Sequence, residues 1–180
     1  MIEKWCRKWG FTTNKKKSQG IIFTRKKNIG TNLYINGEAI AFVKTAVFLG
    51  ITFDSRLTWA PYIDQIVQRC KKRINLMKCL CHNKWGARRE ILLMVYRALI
   101  RSIVDYDAVL YQSASWSLLK KLNAIQCTAL SPCVGAMKGI ALSSLLRECD
   151  ELPLVSRNVM LVDKYLLKIH SLPLHVTNSI

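Results

Sequence analysis

Three groups of side chains in this 180-residue chain have types and spacings suited to chemistry. In the first, Asn14-x-x-Lys17-Ser18 is filled by Lys15 and Lys16 and followed by Phe23, so three ammonium groups share one short polar loop. Ammonium groups hold phosphate and, beside a developing anion, stabilise charge or donate a proton. A lysine run that is merely solvated is the competing reading. The second group is Phe48-Leu49-Gly50, which opens the phrase FLGITFDSRLTW ending at Trp59. It reads as a short buried strand stopped at a glycine, an acidic residue and a Trp-led helix. Glycine lets a backbone approach nucleic acid closely, and aliphatic neighbours anchor the strand. The third is the helix after Trp59, with Arg69 and Lys72 on one edge and Lys71, Asn75 and Lys78 on the other. That face suits phosphate contacts, which position a duplex without reading its sequence.

Asp105-Tyr106-Asp107 is a tempting metal pair, but it sits in a helical pattern. Carboxylates at i and i+2 of a helix point to opposite sides and cannot share one cation. Asp105 is expected to pair with Arg101 one turn earlier. The seven cysteines form no CxxC pair, and no Cys/His spacing suggests zinc, so no metal site is expected. They read as reduced thiols, with Cys70, Cys127 and Cys133 as small hydrophobes in apolar helices.

The net charge is +17, unevenly placed: Met1 to Glu90 carries 19 Lys/Arg against 5 Asp/Glu, and the remainder 9 against 6. Such a first half points to a polyanionic partner, because each neutralised phosphate releases a condensed counterion. No apolar run reaches the ~18 residues of a membrane span, and no signal-peptide core is visible. The expectation is an intracellular protein of nucleus or cytoplasm, not secreted and with no membrane partner.

The elements that must hold these groups follow from periodicity. A helix is expected from Met1 to Trp9, stopped at Gly10, then a polar loop from Thr12 to Gln19. Strands are expected over Gly20 to Lys27, over Leu33 to Ile40 as a hairpin around Asn36-Gly37, and over Ala46 to Phe53. From Thr58, a fair N-cap, Trp59, Tyr62, Ile63, Ile66, Val67, Cys70, Ile74, Met77 and Cys81 mark one helical face. Ala87 to Leu110 reads as a helix apolar almost all round, with one charged stripe of Arg97, Arg101 and Asp105. Ser115 to Val134, Ala141 to Glu148 and Pro153 to Ile169 supply the rest. The fold class is α+β: a small antiparallel β element on the N-terminal side followed by a mostly α-helical bundle of about five helices.

The ordered combination of these phrases resembles the last two palm motifs and the thumb of reverse transcriptases. It is most similar to those of non-LTR (LINE-type, Jockey-like) retrotransposons. Lys84-Trp85-Gly86-Ala87, YRALIRSIVDYD, LYQSAS, KLNAIQCTAL and Glu151-Leu152-Pro153-Leu154 extend the likeness over nearly the whole chain. Departures include Asp107 where the family has glycine and Ser131-Pro132 inside a helix. The resemblance implies that Lys17 lies near the phosphates of an incoming nucleotide as a general acid, with Lys15 and Lys16 as extra phosphate-tracking charge. It makes Phe48, Leu49 and Gly50 a primer grip. The helix bearing Arg69, Lys71, Lys72 and Lys78 becomes the start of the thumb. Residues 1–57 would then be the end of the palm, 58–136 a thumb-like bundle and 137–180 a helical extension. The implied partners are an RNA/DNA template–primer duplex and the palm and fingers of the parent polymerase. The two magnesium-binding aspartates are not found, so the expectation is a polymerase fragment without its catalytic centre. It would hold no cofactor of its own, the Mg²⁺ being that of the parent. The alternative is a non-enzymatic basic helical module that binds RNA, DNA or a protein.

Overall fold

The computed structural model describes residues 2–14, 17–26, 32–35, 37–81, 86–137 and 139–171. It forms two compact units, Met1–Tyr62 and Ile63–Ile180. Helices and two small antiparallel strand pairs make it an α+β chain, as the sequence predicts.

In the first unit, α1 (Ile2–Lys8) ends in a Schellman motif. The Gly10 N–H donates to the Arg7 carbonyl, the Phe11 N–H donates to the Cys6 carbonyl, and Gly10 takes φ +70°. Strands β1 (Tyr34–Ile35) and β2 (Glu38–Ala39) pair across the expected turn, with Gly37 at φ +79°. Asn36 of that turn lies outside the described residues. Two strand expectations fail. Gly20 to Lys27 forms no strand over its described part: a single bridge joins Gly20 to Phe42, and farther on Thr24 donates to the Ser55 carbonyl. One bridge does not make a ladder. Ala46 to Phe53 is not one strand but a hairpin, β3 (Thr45–Phe48) and β4 (Ile51–Asp54), closed at Leu49-Gly50.

Helix α2 (Ala60–Cys79) buries the predicted face: Trp59 ahead of it, then Tyr62, Ile63, Ile66, Cys70, Ile74 and Met77. In the second unit Ile63, Ile66, Cys70, Ile74 and Met77 are buried along with Leu92, Leu93, Tyr96, Ile100, Val104, Leu122, Ile125, Leu130 and Leu145. Burial pushes the Cys70 thiol up to about 11 and the Cys133 thiol up to about 12, which fits inert apolar cysteines.

The stretch after Ala87 departs from one all-round apolar helix. It runs as α3 (Arg89–Tyr96), a π-helical turn over Arg97–Arg101 and α4 (Ser102–Asp105), breaks at Tyr106-Asp107 and resumes as α5 (Ala108–Tyr111). Only one stripe is buried; Ile91, Met94 and Tyr106 are exposed. Helix α6 (Trp116–Leu130) stops before Pro132, which enters a 3₁₀ turn over Ser131–Val134, where its missing N–H breaks no helix. Then come α7 (Leu142–Cys149) and α8 (Leu154–His170).

The charged stripe finds its partners far along the chain. Glu151, with a side chain 2% exposed, accepts from Arg97 Nε at 2.7 Å and from Arg101 Nη1 at 3.1 Å. Asp105 accepts a bidentate fork from Arg157 at 2.6–3.0 Å, while the expected Arg101 partner is farther, at 3.8 Å. The π turn is the local distortion of the helix on which Arg97 and Arg101 both turn to one carboxylate.

Candidate nucleic-acid interface

The β3–β4 hairpin is built from a short apolar sequence with an asymmetric fate. Register pairs Phe48 with Ile51 and Thr45 with Asp54, leaving Leu49-Gly50 as the two-residue tip. Both tip residues are left-handed, Leu49 at φ +50° and Gly50 at φ +83°. That is the backbone of the hairpin turns whose twist matches the strands. Strand β4 faces inward, with Ile51, Thr52 and Asp54 buried. Strand β3 and the tip face out: Val47, Phe48 and Leu49 are 67%, 65% and 74% exposed. The expectation of a buried strand at Phe48 is corrected here, because the turn at Leu49-Gly50 hands the buried role to β4.

Asp54 ties the hairpin to the start of α2. Its carboxylate accepts from the Thr58 N–H at 3.0 Å, the Thr58 hydroxyl at 2.9 Å and the Trp59 N–H at 3.0 Å. Burial pushes the Asp54 carboxyl up, but these bonds, with one more from the Arg56 backbone, outweigh it and hold it below the usual carboxylate range. The Thr58 hydroxyl also accepts from the N–H of Ala60, the first residue of α2, at 3.4 Å; the helix thus begins two residues after the expected N-cap. Leu57 and Trp59 both adopt left-handed backbone, at φ +52° and +64°. For non-glycine residues that is worth about 1–3 kcal/mol of strain each, held by the surroundings. Aromatic packing of Phe53 on Trp59 (5.6 Å) and on Phe23 (6.2 Å) supplies part of the hold.

Lys17 stands beside the hairpin. Its N–H donates to the Asn14 carbonyl at 3.2 Å, and the Ser18 hydroxyl donates to the same oxygen at 2.9 Å. Lys17 lines a cavity of about 420 Å³ together with Gln19, Ile21, Phe23, Val47, Phe48 and Phe53. The structure thus brings Lys17 and Phe48 to one recess, apolar apart from the lysine and one glutamine. Lys15 and Lys16 lie outside the described residues.

In the second unit, Arg69, Lys71, Lys72 and Lys78 are all exposed on α2. Sequence reading missed their neighbour on α6. Lys121 donates to Asp64 at 2.7 Å, and both line a groove of about 550 Å³ with Lys71, Gln68, Thr128 and the apolar Val67, Ala124 and Ile125. The Lys120-Lys121 pair was visible in the sequence, but nothing there set it opposite α2. Asp105 is held by Arg157, and Asp54 by the start of α2. Among the described residues no three acidic, cysteine or histidine side chains cluster to hold a metal ion.

No family model matches the chain and no solved structure matches it. Curated proteins do. Over 125 residues, 69% of this chain, it is 24% identical to the probable RNA-directed DNA polymerase from transposon X-element of Drosophila melanogaster. Over 135 residues, 75% of the chain, it is 23% identical to the RNA-directed DNA polymerase from mobile element jockey of the same fly. The Pol polyprotein from type-1 retrotransposable element R1 of Nasonia vitripennis matches 153 residues at 20% identity. This chain is homologous to the RNA-directed DNA polymerases of non-LTR retrotransposons. The matched stretch covers 14–15% of the two fly relatives' length and 45% of the wasp relative's. Among the described residues no helix is long and apolar enough to cross a membrane.

Proposed function

We propose that this chain is the template–primer-gripping part of a retrotransposon RNA-directed DNA polymerase. Residues 1–57 serve as the end of the palm, 58–136 as the thumb and 137–180 as a helical extension. The observation that carries the reading is the β3–β4 hairpin, whose left-handed tip offers Val47, Phe48 and Leu49 outward from a buried β4. A rigid apolar tip can hold the sugar and base of a strand end without reading sequence. Lys17, on the same recess as Phe48, supplies a cation for phosphate and is the general acid of the parent polymerase. Arg69, Lys71, Lys72 and Lys78 on α2 track the duplex backbone, helped by Lys121.

The Asp54 carboxylate is engaged at the start of α2 and that of Asp105 by Arg157. In this reading the metal-holding aspartates belong to the parent's palm, and the chain alone incorporates no nucleotide.

A photo-reactive phenylalanine analogue at position 48, irradiated with a labelled RNA template–DNA primer, tests the grip. The expected crosslink is to the primer's 3′-terminal nucleotide. Crosslinks spread evenly along the duplex would remove Phe48 from the grip.

A further inference from the structure

Helix α1 carries a second aromatic feature that uses none of the residues assigned to the template–primer grip. Its 7 residues fall short of the ~12–15 that a helix needs to persist alone in water. Trp5, Trp9 and Phe11 are 57%, 61% and 60% exposed, and Cys6 between them is half-buried. The Schellman turn at Gly10 folds Phe11 back onto Trp5, giving a stacked pair at 5.9 Å with 14° between planes. Trp9 stands 6.5 Å from Trp5, tilted by 46°. One face of Trp5 and one of Phe11 therefore meet each other, and the rings remain open on their outer sides.

The cations are set beside this row. Lys4 and Lys8 each precede a tryptophan by one residue, so the lysine pair and the Trp5–Trp9 pair form two parallel rows at i, i+4 spacing. Across residues 1–20 the charged residues are Lys4, Arg7, Lys8, Lys15, Lys16 and Lys17 against Glu3 alone. A purely apolar protein partner would leave the lysine row without counter-charge. A strand of bases and phosphates answers both rows. Aromatic platforms edged by basic side chains bind single strands in this manner, because every base has a π-face.

We propose that the Trp5–Trp9–Phe11 cluster is a stacking platform for single-stranded nucleic acid, with the phosphates running along Lys4 and Lys8. The site takes unpaired bases, whereas the α2 face and the hairpin tip take a duplex.

The test is fluorescence anisotropy of the full chain with a labelled oligothymidylate and, in parallel, a labelled RNA–DNA hybrid. The W5A/W9A variant should bind the oligothymidylate at least ~10-fold more weakly, with an unchanged salt slope and unchanged hybrid affinity. The W5F/W9F variant keeps π-faces and should retain most single-strand binding, which separates stacking from loss of α1. Replacing Lys4 and Lys8 by glutamine should lower the salt slope for the oligothymidylate by roughly 0.7 per lysine. Absence of oligothymidylate binding by the wild type, or wild-type binding by W5A/W9A, would overturn the proposal. Equal losses for hybrid and single strand in W5A/W9A would also overturn it. So would sedimentation in which the wild type self-associates and W5A/W9A does not, while oligothymidylate binding stays equal: the occupant would then be a second copy of this chain.

Discussion

The two units of this chain solve the problem of burial in different ways. Ile63–Ile180 closes a core of its own, with α2 beside α6 and two carboxylates, Glu151 and Asp105, neutralised by Arg97, Arg101 and Arg157. In Met1–Tyr62 the described buried apolar side chains are only Ile51, Trp59 and Tyr62. Around them Trp5, Trp9, Phe11, Phe23, Val47, Phe48 and Leu49 stand exposed. The first unit is held by local devices instead: a Schellman turn, a left-handed hairpin tip and the Asp54 capping bonds. An apolar surface left open on that scale marks a face that meets something else. The lesson is that stability and recognition are divided between the units, and substitutions in them should behave differently.

The largest contrast is expected between Ile66→Ala and Phe48→Ala. Ile66 is 1% exposed in the closed core, so its truncation should destabilise the second unit by about 2–5 kcal/mol in denaturant melts. Phe48→Ala removes an exposed ring and should shift stability by less than about 0.5 kcal/mol while weakening hybrid binding. Equal destabilisation by both would erase the division. Next, Glu151→Gln leaves Arg97 and Arg101 without their shared carboxylate. A loss of about 2 kcal/mol is expected, below the range for fully buried pairs because both arginines are partly exposed. A melt indistinguishable from wild type would show that the network is not holding the π-helical turn to the loop before α8.

A smaller effect separates the first unit by pH. Asp54 has its pKa depressed in the fold, so its contribution is fully present above the unfolded value near ~4 and fades as pH falls through the lower native value. Asp54→Ala should lose about 1–2 kcal/mol at neutral pH, and the difference from wild type should shrink below pH ~4. Trp59, packed on Phe53, reports this locally through near-UV circular dichroism. A difference that grows on acidification would contradict the capping role.

Legibility followed the same division. The α2 face was readable because apolar residues at three- and four-residue steps suffice to orient a helix. The α1 stop and the β1–β2 turn were equally readable, since Gly10 and Gly37 are turn residues by chemistry. Leu49, Leu57 and Trp59 were not, because side chains of their type rarely take a left-handed backbone. Without that turn, FLGITFD looks like a single apolar strand. The charged stripe Arg97, Arg101, Asp105 was readable, but Glu151 and Arg157 are about 50 residues away and only the fold joins them. At the candidate interface, Lys17 and Phe48 were each singled out, whereas their shared recess and the place of Lys121 beside Lys71 needed the structure.

The central claim is that the exposed basic face of α2 holds a duplex through its phosphates. The most direct measurement is the affinity for a labelled RNA–DNA hybrid at several salt concentrations, for wild type and for a variant with Lys71, Lys72 and Lys78 replaced by glutamine. Counterion release predicts a linear fall of log affinity with log salt, ~0.9 per phosphate contacted on B-form DNA. The variant should bind every duplex sequence more weakly, with the slope reduced by roughly 1 per lysine lost. Wild-type affinity and slope in that variant, or binding that does not respond to salt, would contradict the account.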